Sequence, residues 1–247
     1  MRKWCASLAA GAVGVTAALV AVPAAAGQTC DASSTTRIVA AGPTPARVVV
    51  GTTVPRTVTL GAQVQDPCTA SVSASVRVGE ATLAAVMEPV GQIGNITAFD
   101  AGYEIDPAQL DNDDAGPWLA AVSARGTTTT GTEFAFQLVR ATRLTTNARP
   151  ETLAPGGRVA VQGRLTRASW DTGTYRGLPQ AAVELQMRTA GTDYAPIATV
   201  NADRRGNLRT EVRTPARAGD QVCFRYRYPG SDTAAEVVSG GDCIRVR

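Results

Sequence analysis

The chain of 247 residues carries 24 Lys and Arg against 21 Asp and Glu, is 44% hydrophobic, and contains no histidine. Its single lysine, Lys3, lies at the extreme N-terminus. Without those side chains, Ser-His-Asp and Cys-His catalysis, Ser-Lys dyads, Schiff-base lysines, a P-loop lysine and His-ligated zinc are all excluded, and no local pairing of carboxylates replaces them, so the chain reads as a non-enzyme without a cofactor.

Residues 1–26 read as a signal peptide. Arg2 and Lys3 form a basic start, Leu8 to Val22 is apolar or small, and Ala24-Ala25-Ala26 offers a cleavage site before Gly27. The apolar run is shorter than the ~20 residues a bilayer span needs, and Pro23 closes it. Gln28-Thr29 are not the small apolar residues that precede a lipidated cysteine. The mature chain is therefore expected to be secreted, extracellular or associated with the cell envelope, and monomeric. It should have no membrane span and no nucleic-acid partner.

Four cysteines remain after cleavage: Cys30, Cys68, Cys223 and Cys243. An even number in an exported chain reads as two disulfides with three connectivities open. Cys30–Cys68 and Cys223–Cys243 are preferred, because each pair then lies within one half of the chain. Metal ligation lacks both a C-x-x-C pair and a histidine.

Charge divides the chain. From Gly27 to Arg140 the net is −5, and from Ala141 to Arg247 it is +6. That contrast predicts a boundary near residue 141. The organisation expected is an acidic β-sandwich over 27–140, a linker and first strand over 141–156, and a basic immunoglobulin-like domain over 157–247.

Strand signals dominate both halves. In the first, Ile38-Val39, Val48–Val50, Val58–Val64, Val72–Val78, Thr82–Met87, Trp118–Arg125 and Phe134–Val139 are predicted strands. Asp66-Pro67, Gly79-Glu80, Gly91–Asn95 and Asp111–Gly116 break them. Trp118, Ala120 and Val122 share one face and are expected in the core. Between the halves, only Thr142–Thr146 reads as ordered.

In the second half Val159, Val161 and Leu165 follow a period of two, as do Val183, Leu185 and Met187. Tyr194–Val200, Leu208–Arg213, Val222–Tyr228 and Ile244–Val246 complete the set. Asp203–Gly206 reads as a hairpin turn joining the Ala195–Val200 run to Leu208–Arg213. Cys223 and Cys243 fall in the last two strands, where a bridge would restrain the C-terminal strand.

One stretch of text carries a resemblance. It comprises Arg143-Leu-Thr-Thr-Asn-Ala148, Pro155–Arg167, Trp170, Tyr175-Arg-Gly177, Val183-Glu-Leu-Gln-Met-Arg188 and Gly206-Asn-Leu-Arg-Thr210. Residues 141–247 thereby resemble the C-terminal immunoglobulin-like domain of uncharacterised secreted proteins from actinomycetes, while 27–140 share mainly Ala115-Gly-Pro-Trp118. The resemblance implies an exported two-domain β protein without an established activity, and some members carry a calcium-binding label. Cys223 and Cys243 depart from that family's pattern.

Two surfaces could bind. Asp106, Asp111, Asp113 and Asp114 crowd one loop with Asn112, after Asp100 and Glu104, and oxygen-rich loops suit calcium. Against an EF-hand, Ala115 stands at the fifth loop position and Val122 at the twelfth; the plainer reading is a solvated acidic turn. In the second half Arg204 and Arg205 precede Arg209, Arg213 and Arg217, and Arg225 and Arg227 alternate with Phe224, Tyr226 and Tyr228.

Arg204, Arg205, Arg225 and Arg227 would suit an anionic partner such as a wall polymer. The plainer reading is arginine serving as the solubilising cation of a lysine-free chain. Acidic and basic halves could also dock on each other. The expectation is an all-β chain of two tandem immunoglobulin-like β-sandwiches, acting as a non-catalytic interaction protein for an unidentified extracellular or cell-wall partner. The alternative is a calcium- or carbohydrate-binding module, using the Asp-rich loop or exposed Trp170 and Tyr175.

Overall fold

The computed structural model describes residues 35–65, 71–78 and 81–247. The expected signal peptide, Cys30 and Cys68 lie outside them. Among the described residues the regular structure is all β, with two 3-10 turns at Pro107–Gln109 and Asn112–Asp114. No helix there is long and apolar enough to cross a membrane.

The first half forms nine strands: β1 (Arg37–Thr44), β2 (Arg47–Val50), β3 (Arg56–Gln65), β4 (Ser71–Val78), β5 (Ala81–Val86), β6 (Glu88–Ile93), β7 (Ile96–Ile105), β8 (Gly116–Arg125) and β9 (Thr129–Arg140). They build a sheet β1-β3-β7-β6 facing a sheet β2-β9-β8-β4-β5. Period two drives the packing, because alternate side chains leave a strand on opposite faces. On β3, Val58, Leu60, Ala62 and Val64 are buried; on β8, Trp118, Ala120, Val122 and Ala124 are. Trp118 sits 5.8 Å from the Phe136 ring and donates from Nε1 to Asp114 O at 2.8 Å.

β6 and β7 were not predicted. On β7, Phe99 and Tyr103 pack on the core with buried Ala101 and Ile105, an alternation interrupted to the eye by Asp100, Gly102 and Glu104 pointing outward. β6 is an edge strand, and its pairing with β7 shifts register between Pro89 and Gly91, a bulge of the kind that distorts an edge.

The second half adds β10 (Thr142–Leu144), β11 (Asn147–Arg149), β12 (Thr152–Leu153), β13 (Arg158–Ser169), β14 (Thr174–Gly177), β15 (Ala182–Thr189), β16 (Ala195–Asn201), β17 (Asn207–Arg213), β18 (Gln221–Tyr228), β19 (Val237–Val238) and β20 (Asp242–Val246). β13 is the spine of one sheet, pairing with β10, β11, β14 and β17; the other runs β12-β20-β18-β15-β16 with β19 on β18. Each half repeats one device: a short early strand pairs in parallel with the half's last strand, β2 with β9 and β12 with β20. The two halves are tandem immunoglobulin-like sandwiches, each with its own core.

Tyr226 fills the second core, and its hydroxyl donates to Val161 O at 3.0 Å, tying one sheet to the other. Phe224, Tyr226 and Tyr228 are buried while Arg225 and Arg227 face outward, as their alternation predicts. Cys223 and Cys243 stand opposite each other on β18 and β20 and form a disulfide.

Two expectations change. The segment after residue 141 is ordered throughout, because β10 and β11 both pair with β13 and β12 with β20. Asp203–Gly206 is not a hairpin: β16 pairs with β15 and β17 with β13, so the chain crosses from one sheet to the other. The faces expected of β15 hold: Met187 packs on the core beside Val183 and Leu185, and Gln186 lies on the outer face, covered by its bond to Arg225.

Candidate functional site

The acidic loop is spent on local structure and on joining the halves. Asp106 accepts the Ala108 amide at 2.9 Å, and Asp114 Oδ2 accepts the Asp111 amide at 2.7 Å. The Asn112 amide donates to Asp171 Oδ1 at 2.9 Å, and its side chain donates to Ser169 Oγ at 3.2 Å and to Asp171 Oδ2. Among the described residues no group of three or more His, Cys, Asp or Glu is placed to hold a metal ion.

Burial raises the Asp114 pKa above its ordinary 3.8; the Asp111 amide opposes this, and the charges of Asp111, Asp113 and Asp171 reinforce it. A carboxyl with a raised folded pKa favours the fold in its protonated form. Stability therefore rises as pH falls through that value and is lowest when the group is ionised. Asp114→Asn keeps an acceptor for the Asp111 amide. It should melt at or above the wild-type temperature at pH 7, with the gap closing near pH ~4, in thermal melts across that range.

Trp170 is the centre of the junction and a second correction. Expected at the surface, it is 5% exposed and packs in the core of the first half. Its Nε1 donates to Gly51 O at 2.8 Å, and its amide donates to Asn112 Oδ1 at 3.0 Å. Tyr175 is half-buried, and no aromatic ring of the second half stands fully exposed. A tryptophan beside the domain boundary finds its apolar surroundings across that boundary.

Around it, Arg47 Nη2 donates to Ser231 O at 2.8 Å, the Arg140 amide to Thr233 O at 3.1 Å, and the Ala235 amide to Arg140 O at 2.9 Å. The Arg140 side chain is buried, with no hydrogen-bond partner for Nε. Burial, and then the nearby Arg167, lower its pKa to about 10, while Asp171 and Asp113 pull the other way.

The four arginines predicted as one surface separate. Arg225 Nε donates to Gln186 Oε1 at 2.7 Å, and its guanidinium lies 4.0 Å from the Tyr194 ring centroid; Arg227 pairs with Glu184 at 3.3 Å. Both belong to the β18 sheet and are already engaged. Arg204 and Arg205 lie beyond the opposite sheet, on the turn between β16 and β17.

There they meet Arg164, Arg176 and Tyr175 around an open cleft of about 430 Å³ whose lining includes no carboxylate. Arg143 completes the group, its guanidinium 3.7 Å from the Tyr175 ring centroid. All five arginines are exposed. Among the described residues the ion pairs are Arg158–Glu211 and Arg227–Glu184, so no carboxylate pairs with this group. Asp203 is close, but its carboxylate accepts the amides of Arg205 at 2.7 Å and Asn207 at 2.8 Å. It also accepts Asn207 Nδ2 at 2.9 Å, and these bonds hold its pKa below the usual range.

Two glycines bring the charges together. A Cβ on Gly177 would lie 2.0 Å from Arg205 O, and one on Gly206 would lie 2.2 Å from Leu165 O. Gly206 also has a φ of +80°, which side chains resist. Only bare backbone lets β14 and the crossing turn approach so closely, which sets Arg176 beside Arg205. Arg143, Arg164 and Arg176 were missed in the sequence because strand pairing, not spacing, gathers them.

No family model matches the chain, and no curated protein does. Among solved structures it is similar to the Yersinia pseudotuberculosis adhesin InvE, at 14% identity and a TM-score of 0.31, over 85% of this chain and 59% of that one. It is also similar to a tetra-tandem repeat in the extending region of a large adhesion protein, at 13% identity and 0.37, over 84% and 50%. A third is Salmonella alpha-2-macroglobulin reacted with methylamine, at 16% identity and 0.34, over 81% and 14%. The chain thus spans between 14% and 59% of the length of these proteins.

Proposed function

We propose that this is a non-catalytic extracellular interaction protein that holds an anionic partner in the cell envelope through the arginine-lined end of its second sandwich. The observation that carries this reading is the convergence of Arg143, Arg164, Arg176, Arg204 and Arg205 without a neutralising carboxylate. Like charges held together work against the compact state, and a bound anion relieves that repulsion. The Cys223–Cys243 bond supports an oxidising location. The lack of histidine, and of lysine beyond Lys3, supports a role without catalysis.

The test is sedimentation of the purified protein with envelope from the producing cell. Retention is expected at low salt and should fall steeply as salt rises, because screening shortens the reach of exposed charges. Arg204→Glu with Arg205→Glu should abolish it, while Arg125→Glu, on the first sandwich, should leave it intact. Retention indifferent to both salt and the Arg204/Arg205 reversal would reject the proposal.

A further inference from the structure

We infer that the occupant of the arginine cleft is a linear polyanion bearing one oxyanion per repeat, not a single small anion; this rests on the reading above and names its ligand class. The cleft is an open trough of about 430 Å³, too exposed to enclose a small ion. Its cations come from separate segments: Arg164 on β13, Arg176 on β14, and Arg204 and Arg205 on the crossing turn line it, and Arg143 on β10 joins them through the Tyr175 ring. One phosphate or carboxylate satisfies one or two guanidinium forks. Charges spread over several segments are matched only by charges spread along a chain.

The cations are not equally engaged. Arg143 is held against the Tyr175 ring, and Arg176 Nε reaches only Thr172 Oγ1, at 3.5 Å. Arg164, Arg204 and Arg205 are exposed and make no ion pair among the described residues. One guanidinium held on a ring beside exposed ones without an ion pair suits a repeating ligand that can slide by a unit. It does not suit an ion needing several preset donors. Tyr175 is then a positioning residue whose ring orients Arg143.

Binding is measured by titrating the mature protein with inorganic polyphosphate, polygalacturonate and inorganic phosphate at several salt concentrations. The polymers should bind and monomeric phosphate should not. The two polymer arms show whether phosphate or carboxylate is preferred. Five neutralised charges predict a slope of log affinity against log salt of about −3.5, at ~0.7 per charge for a single-stranded polyanion. Arg164→Gln and Arg176→Gln should each flatten the slope by about 0.7. Tyr175→Leu should weaken binding with the slope retained, and Tyr175→Phe should change neither.

Monomeric phosphate binding as tightly as the polymers would overturn the inference, as would a slope that ignores Arg164→Gln and Arg176→Gln. If neither polymer binds while envelope retention still depends on Arg204 and Arg205, the ligand class fails and the interaction reading stands. If envelope retention ignores those residues, the reading itself fails.

Discussion

Trp170→Ala should destabilise the first sandwich by about 3–5 kcal/mol, although residue 170 belongs by sequence to the second. The indole is 5% exposed within the cluster that holds Val48, Val50 and Trp118. Removing it opens a cavity whose walls belong to strands that cannot collapse without breaking register. It also strips Gly51 O of the donor at 2.8 Å, leaving a part-buried carbonyl without that bond.

Denaturant unfolding followed by far-UV circular dichroism reads the effect. The wild type should unfold with coupled halves, and the variant should show an earlier transition from the first sandwich. Trp170→Phe retains most of the apolar volume and loses only the Gly51 bond, so its loss should fall well short of that of alanine. An alanine variant within about 1 kcal/mol of wild type would mean that the junction contributes little to the first core.

Replacing both Cys223 and Cys243 with alanine should cost about 3 kcal/mol in the second sandwich. The disulfide closes a loop with a sequence separation of 20, and the cross-link acts chiefly by restricting the unfolded chain. For a body of roughly 100 residues this corresponds to a fall in Tm on the order of 15 °C, readable by calorimetry. The fold should persist. β20 remains hydrogen-bonded to β18 on one side and to β12 on the other. Wild type treated with reductant should reproduce the variant. A Tm unchanged in both would show that β12 and β18 alone secure the last strand.

Strands with an uninterrupted two-residue period were readable. β8 alternates buried and exposed positions as Trp118, Ala120 and Val122 announce, and β18 segregates Phe224, Tyr226 and Tyr228 from Arg225 and Arg227. The partnership of Cys223 and Cys243 followed from their lying in one half of the chain, and β18 and β20 bring them opposite each other. β7 escaped because Asp100 and Glu104 drew the eye to a loop, although Phe99, Ala101, Tyr103 and Ile105 keep the period. On β15 the period gave the faces, with Met187 on the core and Gln186 outside, while the bulge at Ile197 on its partner β16 left no mark in the sequence of β15.

The site was legible only in part. Arg204 and Arg205 stood out as adjacent cations, but their expected companions Arg225 and Arg227 lie on the other sheet, holding Gln186 and Glu184. Gly177 and Gly206 were seen as turn residues. Their role in letting two backbones touch requires knowing which strands are neighbours.

Side-chain order along the chain determined the β class, the opposite charges of the halves, the lack of a histidine- or lysine-based catalytic set, and the late disulfide. Each of these depends on residue identity and on contacts between near or paired positions. Long-range pairing decided the rest: the sheet crossing after β16, the burial of Trp170 in the other half, and the gathering of five arginines at one end. The physical reason is that a strand's period tells which face is apolar, but not which distant strand or core will cover it.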